Sequence, residues 1–248
     1  MTEVAAGGWD NAEPRYAEEL AEIVRVILVS GLAVGAIVGG LGSRIAMLVL
    51  RLTSPDYVRG VESDHGFTIG QVTLGGTYNL MVIGAAVGVI GAAAYLAVAP
   101  WLIGPRWFRQ ATVGATAAVL VGSMLVEPDG VDFTRLQPLW LAIALFLLLP
   151  AVVGISLAVV TERVRSPGSW TTQGRARWAV PAVLAVVLAP ALLVIVPVLV
   201  IVAAVLPARR LFAWLRSSPT GRVAVRAGFA VVPVLGVLAL SQDLGALY

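Results

Sequence analysis

The chain has 248 residues, 59% hydrophobic and only 12% charged, with a mean hydropathy of +0.92. Soluble domains run at roughly 45–50% apolar and about 25% charged, so a soluble globular fold is excluded, and a disordered chain is excluded by the same apolar excess. The net charge of +3 rests on 17 basic residues, all arginine. In an apolar chain it points to cytoplasmic loops rather than to a nucleic-acid partner.

Cysteine is absent, which excludes disulfides, thiol chemistry and thiolate metal sites. A single histidine, His65, excludes any site that needs two imidazoles from one chain. No cofactor is expected.

Residues 1–25 do not read as a signal peptide, because Glu3, Asp10, Glu13, Glu18, Glu19 and Glu22 outweigh Arg15 and Arg25. Asn11 is placed to cap a short helix in which Tyr16, Leu20, Ile23 and Ile27 share one face. The segment reads as a charged amphipathic lead-in to a single transmembrane bundle over 26–242.

The bundle is expected to be all-α and polytopic, with about six spans near 26–50, 80–99, 110–126, 138–161, 179–206 and 223–242. Trp101, Trp107, Trp140 and Trp178 stand at span ends, where an amphipathic ring favours the membrane–water interface. Gly31, Gly35 and Gly39 repeat every four residues in the first span, and Gly84 and Gly88 repeat that spacing in the second. Gly114, Ala118 and Gly122 do so in the third. Such stripes let helix backbones approach closely, within the chain or between copies of it.

The fifth run carries Pro190 and Pro197 in its interior, with Pro181 and Pro207 at its ends. It reads as a proline-kinked span or as a re-entrant segment. The distribution of arginines separates the two. With six simple spans they divide 8 to 9 between the two sides, and with a fifth run that leaves on the side it entered they divide 13 to 4. Only the second division is the usual cytoplasmic bias.

The first loop, residues 53–78, is the longest polar connection. It carries Asp56, Glu62, Asp64 and His65, and its second half, with Gly75–Gly76 read as a turn, suggests a short strand or hairpin. The third loop adds Glu127, Asp129 and Asp132 on the same side. Glu62, Asp64, His65 and Asp129 are therefore the candidate metal ligands, an oxygen-rich set with one imidazole. Their spacing matches neither an EF-hand loop nor a helical His pair, and ordinary polar loops with turn chemistry are the leading account of them. No Gly-x-Ser-x-Gly elbow and no lysine-bearing phosphate loop occurs, so no catalytic residue is assigned.

Arg44 and Arg51 lie seven apart on one helix face. With Arg209 and Arg210, in the basic ARRLFAWLR segment over 208–216, they are the candidates for lipid-headgroup contact.

The run GGLGSRIAMLVLRLTSPD (39–56), followed by GFTIGQVTLGGTYNL (66–80), resembles a group of uncharacterised polytopic membrane proteins of GC-rich, actinomycete-type bacteria. The resemblance covers roughly residues 20–160. It implies a bacterial inner-membrane setting and no catalytic residues. The leading expectation is a non-enzymatic membrane assembly or accessory component. Its partners would be the lipid bilayer and a membrane protein or second copy, not nucleic acid. The alternatives are a small-solute or lipid transporter using the broken fifth helix, and a membrane enzyme built on the acidic loops.

Overall fold

The computed structural model describes residues 12–55, 72–126, 137–166, 168–169, 176–205, 214–215 and 217–247. All regular structure among these residues is helical. The elements in chain order are α1 (Ala12–Val34), a π turn (Gly35–Leu41), α2 (Gly42–Thr53), α3 (Leu74–Val98) and α4 (Arg106–Leu125). Then follow α5 (Leu139–Arg165), α6 (Ala176–Val187), α7 (Leu192–Val205) and α8 (Pro219–Leu247).

The lead-in and the first span are one helix. No break separates them, and the rod from Ala17 to Thr53 has 37 residues. At 1.5 Å per residue it is about 55 Å long, well beyond the roughly 30 Å hydrocarbon core. Ile27, on the predicted apolar face, is fully buried. Arg25 is fully buried as well and pairs with Glu22 one turn earlier, which lets a cation sit inside the packed end. The predicted cap at Asn11 lies outside the described residues.

Gly75–Gly76 is not a turn. Both belong to the first turn of α3, where the Gly76 N–H donates to the Thr73 hydroxyl oxygen at 3.1 Å. A threonine cap supplies a partner for one of the four unpaired N–H groups that every helix start leaves, and the helix begins six residues ahead of the expected span at 80. The stretch 66–71 of the proposed hairpin lies outside the described residues. After the 3₁₀ turn Ala99–Trp101 the chain reverses within four residues, which requires the positive φ of 94° at Gly104.

Pro190 breaks the fifth run. Leu188 leaves helical geometry at φ −108° and ψ 33°, and Ala189–Ala191 form a 3₁₀ turn. Pro181 and Pro197 stay inside α6 and α7. The two helices meet at 93°. Pro190 has no N–H to continue the ladder, and the Ala191 N–H turns to the Leu188 carbonyl. The freed Val187 carbonyl accepts instead from the Tyr78 hydroxyl of α3 at 2.9 Å. This is how a broken helix keeps its backbone satisfied away from water.

Buried contacts order the ends of the bundle. At one end Val26, Val29 and Val164 form a cluster against which Val180 of α6 packs. Here too the Arg226 Nε of α8 donates to the Trp101 carbonyl at 3.2 Å. At the far end Leu50, Val126, Ala142, Ile143 and Leu240 pack together. Hence α8 starts where α3 and α5 finish, and the chain between Arg165 and Pro219 begins and ends at the same end of the bundle.

By length and composition four helices can cross a membrane: Ala17–Thr53, Leu74–Trp101, Leu139–Arg165 and Pro219–Gly245. The bent pair makes a fifth if it counts as one span. The expected number of about six would need α4 as well. That helix is 20 residues long, carries Arg106 and Arg109 in its first turn, and packs along α5 in the most extensive interface of the bundle.

Candidate functional site: a lateral apolar cavity and a polar cluster

The glycine stripe sets how closely the first two spans approach. A Cβ on Gly31 would sit 2.7 Å from the Val89 Cα, and one on Gly35 would overlap the Gly84 carbonyl oxygen. A Cβ on Gly88 would overlap the Gly31 carbonyl oxygen in turn. The third close contact is made by Gly40, whose added Cβ would lie 2.6 Å from the Met81 Cα. Gly39, the position that the four-residue spacing selects, has only ordinary contacts, at 3.5 Å or more. The π turn is the reason: a wider turn needs five residues instead of four to return to the same face, so the stripe runs 31, 35, 40. Ser43 adds a hydroxyl bond to the Gly39 carbonyl at 2.5 Å.

Beyond this seam lies a cavity of about 1310 Å³. It exceeds the roughly 300–1,000 Å³ of ordinary small-molecule pockets. Its walls come from α2, α3, α4, α5 and α8, and the lining is apolar over nearly all its length. Ile83, Val87 and Ile90 of α3 line it while remaining exposed, so the cavity is a groove open to the surroundings of the bundle.

Both ends of the groove are cationic. Arg44 and Arg51 line it at the far end, and Arg226 lines it beside Trp101 and Phe108. The Arg51 Nε is buried without a hydrogen-bond partner. The Arg44 guanidinium packs against Gly76 in the first turn of α3, so a side chain there would displace it. Among the described residues, none of the fifth run lines the cavity.

A second, polar cavity of about 200 Å³ lies where α3 and α5 end and α4 begins. Glu162 Oε1 accepts from the Tyr95 hydroxyl at 2.9 Å and from Arg109 Nη2 at 2.6 Å. Arg106 Nε is 4.0 Å from Oε2, with its side chain mostly in the open. Three helices are thus joined through one carboxylate. Sequence reading missed this cluster because its charges were counted as loop residues. The available signal was that spans three and four are antiparallel neighbours, so the basic start of one lies beside the acidic end of the other.

Ser54 and Gln137 join the roots of the first and third loops. The Ser54 hydroxyl donates to the Gln137 carbonyl at 3.1 Å and accepts from the Gln137 N–H at 3.0 Å. The proposed metal ligands Glu62, Asp64, His65 and Asp129 lie outside the described residues, as do Arg209 and Arg210.

The class these observations define is an all-helical bundle with helices long and apolar enough to cross a membrane, which suggests a membrane protein. Compared with known protein families, curated proteins and solved structures, the chain matches none.

Proposed function

We propose that this protein is a non-enzymatic accessory component of a bacterial plasma membrane that holds bilayer phospholipid in its lateral groove. The observation that carries this reading is the pairing of a 1310 Å³ apolar groove with arginines at both ends. Acyl chains match the lining, and a phosphate matches Arg44 and Arg51, whose guanidinium groups are built to bind phosphate oxygens. The sparse polar lining argues against passage of a solute through the groove. No described residue of the fifth run lines the groove, so the groove lends no support to transport through the broken helix. The arginine-rich end, where α1 starts and α8 starts, faces the cytoplasm in this reading, in keeping with the 13 to 4 division of arginines.

The test is native mass spectrometry of the protein released from nanodiscs of phosphatidylglycerol and phosphatidylethanolamine. Wild-type protein should retain bound phospholipid after the bulk lipid is stripped. Thr116→Trp, which fills the groove, should abolish retention, and Arg51→Gln should lower it. Equal retention by wild type and Thr116→Trp would sink the reading.

A further inference from the structure

The polar cavity at the arginine-rich end contains an unmatched set of donors. Thr161 is fully buried, lines the cavity, and its hydroxyl has no hydrogen-bond partner. This sets it apart from other helical hydroxyls of the bundle. Those of Ser30, Ser43 and Thr112 each donate to the carbonyl four residues earlier, the usual local solution. A buried hydroxyl that forgoes that bond is free for something in the cavity.

Arg109 points the same way. Glu162 takes its Nη2, while its buried Nε has no partner. Arg165 also lines the cavity and makes no ion pair among the described residues. Glu162 Oε1 accepts from Tyr95 and Arg109, so it acts as the brace that orients Arg109, and Oε2 faces the largely exposed Arg106 at 4.0 Å. Three arginines, at 106, 109 and 165, face one carboxylate. The local charge is positive, and the buried side-chain atoms of the cavity left without a hydrogen bond, Arg109 Nε and the Thr161 hydroxyl, can both donate.

We propose that this cavity is an oxyanion site that takes a phosphate group. Arg109 Nε, the Thr161 hydroxyl and the Arg165 guanidinium donate to its oxygens. A volume of about 200 Å³ suits a phosphate with accompanying water. Donors arranged as two guanidinium groups and a hydroxyl match its acceptor-only oxygens. The phosphate is either the free anion of the cytoplasm or the headgroup of a lipid such as phosphatidic acid. The site is a distinct cavity that shares only Tyr95 with the lining of the lipid groove, and the proposal stands without the groove.

The test is thermal unfolding of the purified full chain in two settings. In neutral detergent, inorganic phosphate is titrated against chloride at matched ionic strength. In nanodiscs without free phosphate, pure phosphatidylcholine is compared with phosphatidylcholine containing phosphatidic acid. A stabilising response to phosphate in detergent assigns the site to the free anion. A response confined to phosphatidic acid assigns it to a headgroup.

In either case Thr161→Val and Arg165→Gln should weaken the response at least about tenfold, the size of a lost hydrogen bond to a charged group. Ser123→Ala, on the same helix as Arg109 but outside both cavities and bonded only to the Leu120 carbonyl, should leave the affinity within about twofold. Thr161→Val keeps the shape of a buried side chain and removes only an unpaired hydroxyl, so it should fold. No response to either ligand overturns the proposal, and so does a response that both Thr161→Val and Arg165→Gln leave intact.

Discussion

The Nε–H of Arg226 donates to the carbonyl oxygen of Trp101 across 3.2 Å. One bond between the start of the last helix and the end of the second span sets the direction of the last helix. Leu240, two turns from the other end of that helix, packs with Leu50 and Val126 at the far end of the bundle. The last helix therefore runs parallel to α4, and the chain between Arg165 and Pro219 has to return to the end from which it came.

This arrangement predicts the outcome of thiol labelling, for which the cysteine-free chain offers a clean background. Ser169→Cys and Ser218→Cys should react with a membrane-impermeant maleimide from the same side. Asp64→Cys should react from the opposite side. Labelling of 169 and 218 from opposite sides would refute the shared end.

The glycine seam predicts a graded loss of stability. Gly35→Ala and Gly84→Ala each push a methyl into backbone that belongs to the opposite helix. Backbone cannot rotate aside as a side chain can, so each should cost about 1–3 kcal/mol or more, as overpacking does. Gly40→Ala should cost as much, and Gly39→Ala less. Gly228→Ala, which meets nothing within 4 Å in α8, is the control. It should be neutral or gain up to about 1 kcal/mol from helix propensity. Reversible unfolding in mixed micelles measures all five.

The Glu162 brace predicts a coupled loss. Glu162→Gln keeps the shape and removes the charge that Arg109 and Tyr95 share. Hydrogen bonds to charged groups contribute about 1.5–3 kcal/mol, so the variant should lose that much. Tyr95→Phe alone should lose about 1 kcal/mol. In the double variant the two losses should sum to less than their separate values, because both act through one carboxylate.

Much of the architecture was legible in the residues. Uncharged runs pointed to an all-helical chain, and four helices long and apolar enough to cross a membrane lie on them, five if the bent pair is one span. The glycine spacing located the seam between the first two spans. The helix start at Leu74 was not legible, because the two glycines of its first turn resemble a loop until the Thr73 cap is seen. The choice among prolines was not legible either: four stand in or beside the fifth run, and local chemistry treats them alike.

The sequence by itself pointed to helices apolar enough to cross a membrane, and all regular structure among the described residues is helical. It also determined that its arginines divide sensibly only if the fifth run stays on one side. Those conclusions follow from composition and period, which need no knowledge of neighbours. Tertiary structure alone decided that Pro190 makes the break, that Gly40 rather than Gly39 meets α3, and that Glu162 joins three helices. Each depends on a partner distant in the chain: the Tyr78 hydroxyl that satisfies the freed carbonyl, the α3 backbone that the wider π turn presents to Gly40, and the Arg109 guanidinium that reaches Glu162. Contacts between residues far apart in sequence leave no local pattern, so only the packed bundle reveals them.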